Sequence, residues 1–318
     1  MPEACVSIGG HLTLLFSIRD QSLLPRRQGS TGAGICLEQG VKVTVKTSNS
    51  SDEKPQFQIK LISSEGETID GNKPMYASLI EAFLSTHRIK KTQDHEVTVE
   101  CALPLSQGFG MSAAGLLACS IALGECYDCG EIGVLARLAH RIERQHSAGL
   151  GDVLGIWAGG VEIRTVPGAP PYPGKAKGFS IQKKGLLVWQ GQKQKHTSTY
   201  IDHKGWKSKI SNAGDAAMQR LTQHKWNKSI WPILLEEADN FSRNSGMLED
   251  AGRNNLLSQI SLQLENENLH EYYSAHLCMI GTSAIILPRE LDRQEQNLEQ
   301  LSQSLQNIGL ETSSVLMQ

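Results

Sequence analysis

The chain has 318 residues, with 31 Lys and Arg against 33 Asp and Glu and a formal net charge of −2. That length accommodates about two domains, and a content of 39% apolar and 20% charged residues is that of an ordinary globular protein. Mixed charge without a basic stripe argues against nucleic acid as a partner, and no apolar run approaches the roughly 20 residues of a membrane span.

In chain order, the opening "MPEACVSIGG" lacks a charged region followed by an apolar core, so no secretion leader is expected. "ACVSI" and "HLTLLFSI" read as short apolar strands. "VKVTVKT" (41–47), "FQIKLIS" (57–63) and "EVTVECAL" (96–103) alternate as half-buried strands do. The polar tract "TSNSSDEKPQ" between the first two of these reads as a hairpin loop. "PMYASLIEAFLSTH" (74–87) predicts a helix with proline at its start. "SAAGLLACSIALGE" from Ser112 is helical and almost uncharged, the mark of a buried helix. "EIGVLARLAHRIERQ" (131–145) is helical, with Leu135, Leu138 and Ile142 as its core stripe and Ala136, His140 and Glu143 on another face. "GLGD" then opens "VLGIWAGG", and "VEIRTV" is a strand. "PGAPPYPGKAKG" (167–178) carries four prolines and is the best domain boundary. Beyond it one strand, "GLLVWQ", precedes largely helical sequence, ending in a stripe of Leu298, Leu301, Leu305 and Ile308. Strands and helices without regular alternation indicate an α+β fold.

The seven cysteines, an odd number in apolar contexts, fit reduced buried thiols in a cytoplasmic protein. "CYDC" at Cys126 to Cys129 has metal-like spacing but no second pair, and a closed zinc site takes four ligands.

The chemistry concentrates in "PLSQGFGMSAAG" (104–115). A helix beginning near Ser112 presents free N–H groups and the positive end of its dipole. Gly108 and Gly110 before it let backbone approach a phosphate closely. No Gly-Lys-Ser/Thr follows, so this is not a Walker loop, and the charge must come from elsewhere, most simply from magnesium. The alternative is an ordinary turn with Ser112 as helix cap. Glu143 and Asp152 supply what phosphoryl transfer needs, a metal ligand and a proton acceptor. Each has a plainer reading: Glu143 as a solvated carboxylate paired with Arg141 or Arg144, and Asp152 as the cap of the next helix.

"PLSQGFGMSAAG" resembles the phosphate-loop motif of the GHMP kinases, the superfamily of galactokinase, homoserine, mevalonate and phosphomevalonate kinases. "SAGLGDVLGIWAGG" resembles the family segment that bears the catalytic aspartate. The third, glycine-rich motif is represented by little more than Gly281 in "SAHLCMIGTSAII". Within the superfamily, "GHLTLLF", "GSTGAGICL", "AHRIE", "GLGDV", "GGVEIR", "KHTSTYID" and "CMIG" look like the archaeal pantoate kinases, in order along nearly the whole chain; "GGH" at 9–11 lacks the proline common there.

The resemblance implies a two-domain GHMP fold, with an N-terminal domain over 1–166, a C-terminal α+β domain over 179–318 and the active site in the cleft between them. It implies ATP and Mg2+ as cofactors, pantoate as the small-molecule acceptor, a place in coenzyme A biosynthesis, and a homodimer as a common family state. Pro104, Gly108, Phe109, Gly110, Met111, Ser112 and Ala113 would wrap the ATP phosphates. Ser112 and Glu143 match magnesium and phosphate positions, and Asp152 matches the catalytic aspartate. Ser30, His140 and Arg164 match positions linked to pantoate recognition. Arg164 could instead be a strand-end cation and His140 a structural histidine. Mevalonate, homoserine and shikimate are the rival acceptors, and a non-catalytic binding protein of the same fold the more distant rival.

Overall fold

A computed structural model describes residues 2–50, 55–191, 204–279 and 281–318. Strand β1 (Glu3–Arg19) and strand β2 (Gly29–Asn49) form one long antiparallel hairpin, with register shifts at Gly9/His11 and Thr13/Leu15. β3 (Phe57–Ser63), helix α1 (Lys73–Thr86) and β4 (Gln93–Cys101) follow. β4 pairs antiparallel with the far half of β2, and β3 lies outside β4, parallel to it. The polar tract before β3 therefore does not close a hairpin. Parallel pairing requires a crossover, and α1 supplies it.

Helices α2 (Met111–Cys126), α3 (Ile132–Gln145) and α4 (Asp152–Ala158) come next, and then β5 (Val161–Val166). β5 takes the near half of β2's second edge, over Gly32–Ile35. The proline-rich stretch does not leave this sheet: it ends in β6 (Lys175–Phe179), which pairs with β5. The first sheet runs β3-β4-β2-β5-β6, with β1 on the other edge of β2. α2 lies against β1 and β2, buried along almost its whole length as its composition implies. Leu116, Ala118, Cys119 and Leu123 have no accessible surface.

β7 (Lys184–Trp189) begins a second sheet of order β10-β7-β9-β8. Helices α5 (Lys204–Leu221), α6 (Trp231–Asn244) and α7 (Ala251–Asn266) lead to β8 (Tyr273–Leu277) and β9 (Ser283–Pro288). α8 (Glu299–Asn307) and β10 (Glu311–Leu316) follow. These three strands exceed the single one expected. β9 is buried at every position, so its sequence "SAIILP" shows a run and not an alternation. In α8, Leu301 and Leu305 are buried, whereas Ile308 falls past the helix end and is 41% exposed. α7 and α8 cover this sheet through a small core that includes Val188, Leu256, Ile260, Ile286, Leu301 and Leu305.

The rest of the second half joins the first. Ala213, Ala217, Leu234 and Phe241, from α5 and α6, belong to the main core with Leu12 and Phe16 of β1. The Ser17 hydroxyl donates to Ser211 O, and Arg19 pairs with Asp215. At the chain's end, Gln318 N donates to Cys36 O at 3.0 Å, between the stretches of β2 that hold β4 and β5. α5 approaches β1 closely at Gly214, where a Cβ would lie 2.1 Å from Phe16 O. Because backbone cannot yield as a side-chain tip can, Gly214→Ala is expected to destabilise the protein by about 2 kcal/mol in denaturant titrations. Ser208→Ala, on the exposed face of the same helix, should leave the midpoint unchanged.

Candidate functional site

The loop from Pro104 to Gly110 joins β4 to α2 and forms one wall of a cavity of about 510 Å³. Gly108 and Gly110 have φ of +80° and +69°. A Cβ at Gly108 would lie 2.7 Å from Met279 O, and one at Gly110 would lie 2.8 Å from His11 N. Both glycines are therefore required by conformation and by space. Gly110 is the helix cap in left-handed backbone, with no side-chain cap. Ser112 is the second residue of α2 and not its cap, so the first-turn N–H groups are left for a ligand. Phe109 is buried, edge-on to Trp189 at 5.7 Å, and its carbonyl accepts from His11 N.

The weak third motif has a structural task at this loop. A Cβ on Gly281 would lie 2.3 Å from Gln107 O, and the Ser283 hydroxyl donates to that same oxygen. The second sheet thus braces the loop from behind.

Opposite the loop, α3 is followed by the turn 146–151 and by α4. The turn contributes His146, Ser147, Ala148, Gly149, Leu150 and Gly151 to the cavity wall, and α4 contributes Asp152. Of the residues expected in the site, Ser30, Asp152 and Ser112 line the cavity together with Pro104, Gly108, Phe109, Gly110, Met111 and Ala113. His140, Glu143 and Arg164 are buried just behind that wall. The face of α3 carrying His140 and Glu143 is therefore an inner face and not a solvated one.

His140 Nε2–H donates to Gln28 O at 3.1 Å and to Pro25 O at 3.3 Å, which fixes the loop leading to Ser30. Burial holds its ring neutral, with a pKa lowered to about 4. Arg144 does not pair with Glu143. It donates to Gly149 O and to Gln28 Oε1, tying the turn to the same loop.

Neither oxygen of Glu143 makes a hydrogen bond within the protein by distance and angle; His140 Nδ1, the lone-pair nitrogen of a neutral ring, lies 3.9 Å from Oε2. Burial, and then the charge of Asp152, raise its carboxyl well above the ordinary range. Two hard oxygens without hydrogen bonds, just behind the cavity wall at Gly149, suit a divalent cation, whose binding would displace the proton. Arg164 shows the converse. Its Nη1 donates to Glu162 Oε1, while buried Nε and Nη2 have no partner. A Cβ at Gly151 would lie 3.1 Å from Arg164 Nε and 2.3 Å from Ser30 Oγ, and one at Gly149 would lie 2.3 Å from Glu143 Oε1 and 3.0 Å from Asp152 Oδ2. The glycine turn thus lies between Arg164 and Ser30 on one side and the Glu143 and Asp152 carboxyls on the other.

Asp152 is the first residue of α4, with Gly151 as the cap. Its Oδ1 accepts from His11 Nδ1 at 2.8 Å and from the Thr13 hydroxyl at 3.4 Å. His11 Nε2 lies 3.0 Å from Glu162 Oε1. Burial alone would raise the Asp152 carboxyl; the His11 hydrogen bond and charge reverse this and hold it low. His11, Thr13 and Glu162 are functional neighbours that the sequence reading did not single out.

A family model, GHMP kinases N terminal domain, matches residues 76–160, from α1 through the loop, α3 and α4. The chain carries a GHMP kinase N-terminal domain. A pantoate kinase of Methanospirillum hungatei is 37% identical over 145 residues, 45% of this chain and 47% of that protein. The chain thus matches about half the length of that relative. A pantoate kinase of Thermococcus kodakarensis is 27% identical over 280 residues, 87% of this chain and 86% of that protein. The fold is shared with a solved phosphotransferase related to the CoA biosynthesis pathway, 24% identical, at a TM-score of 0.77 over 99% of this chain and 96% of that one. The α+β GHMP arrangement expected from the motifs is the one observed. Of the segments that carry the resemblance, "KHTSTYID" lies outside the described residues.

The brace on the loop is testable. Gly281→Ala is expected to weaken binding of inorganic triphosphate, measured by calorimetry, by about tenfold, equivalent to about 1.4 kcal/mol. The melting temperature should fall as well, because the clash, as at Gly214, is with a backbone oxygen.

Proposed function

We propose that the chain phosphorylates pantoate at its primary hydroxyl with ATP, giving 4-phosphopantoate in coenzyme A biosynthesis. The carrying observation is the pair of buried groups with unused hydrogen-bonding capacity flanking Asp152. Arg164, whose charge Glu162 answers at Nη1, still offers Nε and Nη2, and Glu143 offers two oxygens, none of which makes a hydrogen bond within the protein. A buried polar group left unsatisfied is costly, so a ligand that supplies both complements gains what the protein alone leaves unmet. A hydroxy acid accompanied by a metal-bound polyphosphate is such a ligand. Its carboxylate takes the planar fork of Arg164, and the Ser30 hydroxyl beside it takes a second polar group.

In this reading the triphosphate lies against the first turn of α2, with Gly108 and Gly110 giving backbone access. The nucleoside enters the adjoining cavity of about 580 Å³, which shares Asp70, Pro104 and Leu105 and has Ile69, Leu103 and Trp189 as apolar walls. Ser112 and Glu143 hold Mg2+. When bound, that ion neutralises charge on the transferring phosphoryl group. Asp152 accepts the proton of the acceptor hydroxyl as its oxygen attacks the γ-phosphorus and the bond to the β-phosphate oxygen breaks, releasing ADP. A proton acceptor so placed contributes about 10²–10⁴ in rate. The segments 1–166 and 179–318 are read as two domains meeting at this cleft, in a cytoplasmic enzyme.

The test is ADP release by the purified protein with ATP and Mg2+ across D-pantoate, mevalonate, homoserine and shikimate. Release with D-pantoate alone is expected. Asp152→Asn should lose at least about 100-fold in kcat, and Arg164→Ala should chiefly raise the KM for pantoate. Release with another acceptor would keep Asp152 in its role and discard pantoate. Release that persists in Asp152→Asn would discard the mechanism.

A further inference from the structure

His11 has no surface, yet space for it has been cleared with care. A Cβ at Gly155 would lie 2.4 Å from His11 Nε2, and a Cβ at Gly34 would lie 2.6 Å from the same atom and 2.9 Å from Glu162 Oε1. Two glycines on two elements, α4 and β2, therefore fit a ring between Asp152 and Glu162. The ring spans them with both nitrogens, at 2.8 Å and 3.0 Å. The groups facing it are Asp152 from α4, Glu162 and Arg164 from β5, and Thr13 from its own strand.

We propose that His11 is a positioning residue of the transfer: doubly protonated, it keeps Asp152 ionised and turned with Oδ2 toward the acceptor hydroxyl, and Glu162 behind it keeps the second proton in place. This rests on the reading of Asp152 as the proton acceptor. Three observations carry it. Both side-chain bonds to Asp152, from His11 and from Thr13, end on Oδ1, while Oδ2 faces Gly149 on the cavity wall. Carboxylates only accept, so a ring 2.8 Å and 3.0 Å from one at each nitrogen donates from both; Arg164 Nη1 also lies 3.2 Å from Nε2, but its shorter bond goes to Glu162 Oε1. Glu162 Oε1 then stands between two cations, taking bonds from His11 Nε2 and Arg164 Nη1, and Asp152 closes the series at the cavity. Burial works against a charged His11, but the bonds to Asp152 and Glu162 overcome it and raise the ring above its ordinary range. His11 touches neither the acceptor nor the phosphates in this arrangement; its effect passes through Asp152.

Two substitutions divide the ring between its nitrogens. His11→Asn keeps a donor near the Nδ1 position, toward Asp152, and gives up Glu162. His11→Gln reaches toward Glu162 and gives up Asp152. Positioning predicts that kcat falls by about 10²–10³ in His11→Gln and by only about 10-fold in His11→Asn, with KM for ATP and acceptor within about twofold in both. A ring that merely ties β1 to Glu162 predicts the opposite order, and that order would overturn the proposal. So would losses appearing mainly in KM.

A second measurement is independent of turnover. In the full chain labelled with ¹⁵N-histidine, the His11 ring is identified by its absence in His11→Asn. Both of its nitrogens should carry protons at about pH 8, where an ordinary histidine is neutral. Glu162→Gln should return the ring to the neutral signature. A neutral His11 ring in the unsubstituted protein would contradict the proposal. If no acceptor is phosphorylated but His11 is doubly protonated, the functional reading fails and the charge assignment stands.

Discussion

The structure is organised around a short row of ionisable side chains, the buried His11, Glu162 and Arg164 and, at the cavity wall, the partly exposed Asp152, held in contact where β1, β2, β5 and α4 meet. Charges in a protein interior are tolerated only when each finds a complement at close range. The chain meets that condition by removing atoms from its neighbours. Gly32 stands where a Cβ would lie 2.9 Å from Arg164 Nη2, Gly34 and Gly155 clear the His11 ring, and Gly151 clears Arg164 Nε. Gly32 and Gly34 of "GSTGAG" and Gly151 and Gly155 of "GLGDVLG" are therefore steric provisions for the charged row. A side chain at any of them would displace a charge and not simply crowd a hydrophobic core.

The row balances its charges within itself and leaves hydrogen-bonding capacity at its flanks. Asp152 has its cation in His11, and Glu162 answers both His11 and Arg164 through Oε1, its Oε2 being buried without a hydrogen bond. At the flanks, one face of the Arg164 guanidinium and the Glu143 carboxyl are likewise unbonded. These sit on either side of the glycine turn that forms the cavity wall opposite α2. A rigid frame of α3, braced through Arg144 to Gly149 and Gln28 and through His140 to Gln28, keeps the unmatched groups from collapsing onto each other. Preorganisation of this kind favours tight orientation of a charged ligand, because the protein does not have to reorganise when the ligand arrives.

Local chemistry was legible in the sequence. The glycines and small residues of "PLSQGFGMSAAG" act through backbone freedom and through a helix end, both of which are encoded within a dozen residues. The buried character of α2 followed in the same way. Non-local chemistry was not legible. His11 meets Asp152 across 141 residues and Glu162 across 151, and no periodicity in "GGHLTLL" or "VEIRTV" marks those contacts. The crossover of β3 to the outer edge of β4 was hidden because a loop composition does not say which strand comes next in space. The third motif looked weak because Gly281 works by what it lacks, leaving room for Gln107 O, and one glycine has no pattern. His140 and Glu143 were correctly assigned to one face of α3, but only packing reveals that this face points inward.

The most direct test is ³¹P nuclear magnetic resonance of a reaction containing the protein, ATP, Mg2+ and D-pantoate. The account predicts a new phosphomonoester resonance split by the two protons of the adjacent methylene, growing with ADP and absent with Asp152→Asn. Orthophosphate accumulating with ADP, with no resonance coupled to carbon-bound protons, would mean that water and not a primary hydroxyl is the acceptor. That result would contradict the account at its centre.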